Sequence, residues 1–247
     1  MLKKLLFSFV FLALLSQPAF ARVITFATDA TWPPMEFVDA NKQIVGFAID
    51  YMTEAGKLAG FEPKFEAVAW DGIFAGLGTG KYDAICSSVS ITEERKKAMD
   101  FSVPYFKVRQ ALVVPVEVAK DVHGLEDMKG KTLGAQISTT GHFAVKNAEG
   151  IKDKSYDEVG LAFEDMYNGR IDGVVCDDPV AANYALQTEK YKDKFVIAAV
   201  IETGDIEYYG VAVKKGDTEV LDLINKGIKA VQEKGIDKKL IEKWIGK

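Results

Sequence analysis

The stretch AICSSVSITEERKKAMDF, residues 84–101, opens as an apolar strand and turns to hydroxyls at Ser87, Ser88, Ser90 and Thr92 before reaching Arg95. Thr92 or Ser90 suits the N-cap of a following helix, and Ser90 with Glu93 also has the form of a capping box. Glu93 and Glu94 complement the positive end of such a helix. Arg95 does not, because it adds a cation where backbone N–H groups already lack partners. A guanidinium fork beside free N–H groups and hydroxyls has the chemistry of a carboxylate site. An exposed Arg paired loosely with a neighbouring Glu accounts for the same residue without any ligand.

A second polar strand end occurs at IDGVVCDDP, residues 171–179. Pro179 favours the first helical position, which makes Asp178 the natural N-cap and leaves Asp177 without a capping duty. A free carboxylate at one strand end and an Arg at another suit a zwitterion, Arg95 for its carboxylate and Asp177 for its ammonium. An Asp177 that merely holds a loop amide is the alternative. Other strand-like runs end in Asp29 and Trp32, in Trp70, and in Ser138, Thr139 and Thr140. Trp32 precedes two prolines in a rigid loop and fits an aromatic clamp, although aromatics near strand ends are often core. GTG at 78–80 lacks the Gly-Lys-Ser/Thr pattern of a phosphate loop. His123, His142, Cys86 and Cys176 show no metal-ligand spacing, so neither a metal nor a cofactor is expected.

These residues need elements to position them, and the chain supplies an alternation. VITFAT (23–28) reads as a strand, GFAIDYMTEAGKLAG (46–60) as a helix closed by Gly60, PKFEAVAW (63–70) as a strand and DGIFAGLGTG (71–80) as a short helix. The rhythm resumes in KTLGAQI, AFEDMYNG, IDGVVCD, PVAANYALQTEK and KFVIAAVI, and the tail reads as two helices parted at Gly235. Strands alternating with helices imply mostly parallel sheets, whose ligands bind beyond the C-terminal strand ends. One internal echo stands out. FAGLGTGKYDAICSS (74–88) aligns without a gap on FEDMYNGRIDGVVCD (163–177), which implies two lobes of one α/β design and sets Ser88 opposite Asp177.

The N-terminus has Lys3 and Lys4, an apolar run from Leu5 to Leu15, and Ala19-Phe20-Ala21 in the small-x-small form of a cleavage site. Residues 1–21 are therefore expected to be a signal peptide; the run is shorter than the roughly 20 residues that span a bilayer. Without them the chain holds 29 basic and 36 acidic side chains, a formal charge of −7. An acidic chain without a basic run argues against nucleic acid as partner. Cys86 and Cys176 lie in apolar runs and are expected to be buried thiols rather than a disulfide.

ATDATWPPMEFVD, IVGFAIDYM, SSVSITEER, MDFSVPYF, MKGKTLGAQISTTG, NGRIDGVVCDDP and YYGVAVKKGD occur in that order. Together they resemble the periplasmic polar amino-acid-binding proteins of ABC importers, the group that includes histidine, lysine/arginine/ornithine and glutamine receptors. The resemblance implies an α/β fold of periplasmic-binding-protein type II, with two lobes and two hinge strands near Lys107–Ala111 and Val200–Ile206. Lobe 1 would comprise 22–108 and 206–247, and lobe 2 residues 109–205. It further implies that Arg95 grips the ligand α-carboxylate with help from Ser90 and the Thr139–Thr140 region, and that Asp177 takes the ammonium with Ser88 and Ser90. Trp32 and Trp70 would sandwich the ligand side chain, and Asp29 and Ser87 would meet its polar end. The implied ligand is a free polar amino acid of the arginine, lysine, histidine or glutamine class, and Asp29 between two indoles favours a basic one. The implied setting is a periplasmic monomer that serves an inner-membrane ABC permease and is not an enzyme. Met35, Ala48 and Cys176 depart from the usual Phe, Asp and His or Gln. The fold also hosts cyclohexadienyl dehydratases, which need a general acid, with Glu36 and Glu207 as candidates here. A ligand-sensing domain for a membrane receptor is a third possible use of such a chain.

Overall fold

The computed structural model describes residues 21–201, 204 and 206–246. The expected signal peptide thus falls outside the described residues except for Ala21. Among the described residues no helix is long and apolar enough to cross a membrane.

The first half contains β1 (Arg22–Thr28), the small strands β2 (Thr31–Trp32), β3 (Glu36–Val38) and β4 (Ile44–Val45), α1 (Phe47–Ala59), β5 (Phe61–Ala67), α2 (Ile73–Thr79), β6 (Ala84–Ile85), α3 (Glu93–Ala98) and β7 (Met99–Phe101). β8 (Phe106–Val108) leads through Arg109 into β9 (Gln110–Pro115). There follow β10 (Thr132–Gln136), α4 (Thr140–Asn147), β11 (Lys152–Tyr156), α5 (Val159–Tyr167), β12 (Gly173–Asp177), α6 (Asp178–Ala182) and β13 (Phe195–Ile201). The chain returns through β14 (Glu207–Tyr209) and β15 (Ala212–Lys214) to α7 (Thr218–Glu233) and α8 (Ile236–Trp244).

Two five-stranded sheets result, ordered β5-β1-β6-β15-β7 and β11-β10-β12-β9-β13. In each, the fourth strand opposes both neighbours while the other four point one way. These are the mostly parallel sheets of a two-lobed α/β fold. β8 and β14 pair antiparallel between them, with Val108 opposite Glu207 and Phe106 opposite Tyr209.

The internal echo extends to polar contacts. Asp83 and Asp172, aligned in the repeat, accept the backbone N–H of Thr25 and Thr132, each at 2.8 Å. Gly80 and Gly169 reverse the chain after α2 and α5 at φ 74° and 69°, a conformation that disfavours a Cβ. Each Asp thus ties the turn before a strand to the neighbouring strand, and both strands aim their C-terminal ends at the same space.

The C-terminal helices pack on the first lobe. α7 crosses α1 so closely that a Cβ on Gly227 would stand 2.7 Å from the Ala55 carbonyl oxygen. Asp50 of α1 accepts from Lys243 Nζ at 2.6 Å and Trp244 Nε1 at 2.8 Å.

Three local expectations differ. β5 runs 61–67 rather than 63–70, so Trp70 lies in the loop beyond the strand. The helix expected over 179–190 is five α-helical residues followed by a π-type turn, Asn183–Gln187. β11, sequence KDKSY, was not anticipated: four of its five residues are exposed, so it carries no alternating apolar signal. As a charged edge strand it discourages further pairing. Cys86 and Cys176 are free and buried.

Candidate functional site

Asp29, Trp32, Trp70, Ser87, Ser88, Ser90, Arg95, Thr139, Thr140 and Asp177 all line one cavity of about 20 Å³ between the lobes, joined by Glu36 and Gln136. That is room for about one water. The ten residues named from the sequence therefore meet at one place, brought there by the ends of β1, β6, β10 and β12 and the loops that follow.

Arg95 stands in the first turn of a six-residue helix whose N-cap is Thr92, the hydroxyl accepting the Arg95 N–H at 3.2 Å. Its Nη1 donates to the Ser90 carbonyl at 2.8 Å and its Nη2 crosses to the Ser138 carbonyl of the second lobe at 3.1 Å. The guanidinium also lies over Trp70 and Phe74, 5.6 and 5.2 Å from the ring centres. Glu93 and Glu94 bind Lys96 and Lys97 instead, so the loose surface pairing considered for Arg95 does not occur. Burial lowers its pKa to about 10, opposed by the nearby charges of Asp177 and Glu207.

Asp177 is buried and accepts three bonds: Gln110 Nε2 at 2.6 Å, Trp32 Nε1 at 3.3 Å and the Tyr209 hydroxyl. Burial nevertheless raises its carboxyl to about 7. The capping expectation next to it needs correction. Asp178 is the first residue of α6, not its N-cap, and Pro179 is the second; Asp177 holds the cap position but makes no side-chain capping bond. Asp178 is still structural, taking the Arg109 N–H at 3.2 Å and Nε at 3.1 Å.

At the other end of the cavity Asp29 accepts from Thr31 Oγ1 at 2.9 Å and from Gln136 Nε2 at 2.8 Å. Burial raises its pKa, although both hydrogen bonds oppose the shift. Ser87 Oγ accepts the Asp29 N–H at 2.8 Å and so fixes that loop to the next strand end. Ser88 Oγ donates to Glu36 Oε2 at 3.0 Å. Glu36 is fully enclosed, its Oε1 has no hydrogen-bond partner, and burial pushes its carboxyl well above the usual range. Ser88 and Ser138 both adopt positive φ, 47° and 60°. Such conformations cost about 1–3 kcal/mol and persist where surrounding contacts determine them. Here they bend the chain away from β6 and β10 directly into the cavity.

Several lining hydroxyls are already committed. Thr139 caps α4, accepting from His142 N–H at 3.1 Å and donating to the Gln136 carbonyl at 2.7 Å. Ser90 Oγ and Thr140 Oγ1 donate to Glu207 Oε2 at 3.1 and 2.8 Å, so one carboxylate on β14 joins both lobes. Trp70 Nε1 reaches across to the Ile137 carbonyl at 2.8 Å.

Sequence reading missed Glu36 and Gln136 in the lining and Gln110 and Tyr209 behind it. Gln136 ends β10 immediately before the loop that was named, so the strand-end rule could have found it. Among the described residues no group of three or more His, Cys, Asp or Glu could hold a metal ion.

The family model of bacterial extracellular solute-binding proteins, family 3, matches residues 24–247. A probable histidine-binding protein of Neisseria gonorrhoeae is 33% identical over 92% of this chain and 84% of its own length. ABC transporter arginine-binding protein 1 of Escherichia coli (strain K12) is 31% identical over 99% of each chain. Among solved structures, an ancestral arginine-binding protein bound to arginine is 38% identical, with TM-score 0.84 over 91% of this chain and 99% of its own.

Proposed function

The chain belongs to the bacterial extracellular solute-binding proteins, family 3, and from that premise we propose that it is the receptor of an ABC amino-acid importer for a polar, basic L-amino acid. One observation carries the reading: Arg95 of one lobe and Asp177 of the other face a single interlobe cavity with Asp29 also on its wall. Arg95 takes the α-carboxylate, with Ser90 and the Thr139–Thr140 turn around it. Asp177, with Ser88 and Ser90, takes the α-ammonium. Trp32 and Trp70 flank the ligand side chain, and Asp29 and Ser87 meet its polar end.

The lining contains three carboxyl groups, Asp29, Glu36 and Asp177, and one cation, Arg95. Burial disfavours the ionised form of all three, and a cationic side chain beside Asp29 favours ionisation there where a neutral one does not. Basic ligands are favoured for that reason. Of the two candidate acids for a dehydratase, Glu207 already accepts bonds from Ser90, Thr140 and Gln110 (the last at 3.3 Å), and Glu36 is enclosed in the wall and accepts from Ser88, so a turnover assay with arogenate or prephenate tests that reading.

Lobe 1 comprises 22–108 with 206–247 and lobe 2 comprises 109–205, with hinge crossings near Lys107–Ala111 and Val200–Ile206, the second of which lies partly outside the described residues. The mature protein is a periplasmic monomer, exported by its signal peptide, and its closed form docks on an inner-membrane permease. A ligand that binds the closed form better than the open one shifts that equilibrium by its differential affinity.

A thermal-shift screen of the twenty standard amino acids and ornithine tests the reading. At a hundred times Kd a ligand adds about 2.7 kcal/mol, which raises Tm by about 5–10 °C for a chain of this size. The largest shift is expected with arginine, lysine, ornithine or histidine. No shift with any amino acid, or turnover of arogenate or prephenate, would overturn it.

A further inference from the structure

His142 is buried, lies outside the cavity lining, and has both ring nitrogens engaged. Its Nδ1 faces the Ser138 backbone N–H at 3.0 Å and its Nε2 faces Asp153 Oδ2 on β11 at 3.1 Å. A backbone N–H only donates, so Nδ1 is the acceptor; a carboxylate only accepts, so Nε2 carries the hydrogen. The two partners together select one tautomer of a neutral ring.

Ser138 is the residue with φ 60° at the end of β10. Its carbonyl receives Arg95 Nη2 at 3.1 Å, and the adjacent Ile137 carbonyl receives Trp70 Nε1 at 2.8 Å. One strained turn of the second lobe therefore presents two neighbouring carbonyls to the first. Thr139 closes the turn locally through its cap and its bond to Gln136. The Ser138 N–H itself is held by the His142 ring, which returns from the first turn of α4.

We propose that His142 is a positioning residue of the amino-acid clasp: by accepting the Ser138 N–H it sets the turn whose carbonyls seat Arg95 and Trp70 when the lobes meet. Its effect on affinity rests on the functional reading above, but its effect on the turn does not. Asp153 serves as the orienter that keeps the ring hydrogen on Nε2. Removal of the Nδ1 acceptor takes away the side chain that holds the part-buried Ser138 N–H and frees Ser138 to relax, which moves both carbonyls away from their donors.

Three variants separate this role from simple packing. Asn places its amide oxygen near the position of Nδ1, Gln places its amide near Nε2, and Leu keeps bulk alone. Calorimetry with L-arginine is expected to show His142→Leu and His142→Gln weakened by about tenfold or more, with His142→Asn restored to within about threefold of the parent. Rescue by Gln and not by Asn, or undiminished affinity in His142→Leu, overturns the proposal. If His142→Leu fails to fold, the Asn and Gln pair still decides. Nitrogen-15 NMR of the ligand-free protein reads the geometry without reference to binding. An unprotonated Nδ1, together with a Ser138 amide signal that shifts in His142→Gln but not in His142→Asn, is expected; a hydrogen on Nδ1 overturns the assignment. A parent protein that binds no amino acid while showing this NMR signature would sink the receptor reading and leave only the hold of His142 on the turn standing.

Discussion

If Asp177 meets the ligand ammonium as proposed, affinity depends on pH, and the sign follows from the surroundings of its carboxyl. With the cleft empty and the lobes in contact, as in this structure, burial raises its carboxyl to about 7, against an ordinary value of 3.8. A bound α-ammonium stabilises the carboxylate, so the pKa falls when the amino acid enters. Binding above pH 7 then needs no proton release, and affinity is flat. Below pH 7 a proton must leave, and affinity falls by up to tenfold per pH unit. Between pH 7.5 and 5.5 this amounts to about a 25-fold loss, with nearly one proton released per arginine at the lower pH. Titration calorimetry in two buffers of different ionisation enthalpy measures both quantities. Asp177→Asn should bind arginine weakly and lose this component of the pH dependence. Burial also raises Asp29, and burial raises Glu36 well above its ordinary value, so more than one proton released per arginine would mean that a second carboxyl ionises with Asp177. The empty protein responds in the opposite sense. A folded value above the unfolded one contributes stability that is complete below about pH 4 and is lost as pH rises through about 7, some 4 kcal/mol across the whole range. Tm of the empty protein should therefore fall between pH 5 and 8, and saturating arginine should flatten the decline. Arginine affinity that is unchanged from pH 7.5 to 5.5 would refute the placement of Asp177 against the ammonium.

Arg95→Ala should weaken arginine binding by more than about a hundredfold, the cost of leaving the ligand carboxylate without its charged partner. Its helix has no buried residues, so Tm of the empty protein should stay within a few degrees; unchanged affinity would remove Arg95 from the carboxylate role. Asp29→Asn should weaken arginine by more than about tenfold through loss of a charge-assisted bond and leave glutamine within about threefold. Equal losses for arginine and glutamine would show that Asp29 shapes the pocket without reading ligand charge.

The parts of the site legible in sequence are those that a strand carries to its own C-terminal end. Ser87 and Ser88 follow β6, Asp177 closes β12, and the turn 138–140 follows β10, so chain order alone marks them. Asp178 was misassigned because a Pro can occupy the second helical position as well as the first, which moves the cap by one residue. Glu36 was weighed only as an acid, because its place in the wall depends on how the loop after β1 folds back through β2 and β3. β11 carries no apolar period, since its edge position leaves nearly every side chain in water.

Gln110 and Tyr209 were illegible for a reason that bears on mechanism. Both lie on crossing segments, at the start of β9 and the end of β14, where no strand-end rule applies. Yet they are two of the three donors to Asp177, and the third, Trp32, comes from the first lobe. Gln110 is on the strand paired with β12, directly opposite Asp177. Trp32 and Tyr209 both fall in the proposed lobe 1, so opening of the proposed hinge would separate them from Asp177. On the proposed closure lobe 1 helps to bury Asp177, which raises its pKa, and also supplies the Trp32 and Tyr209 donors, whose bonds lower it. If Asp177 meets the ammonium as proposed, the bound cation offsets the desolvation of the carboxylate and would favour the closed cleft.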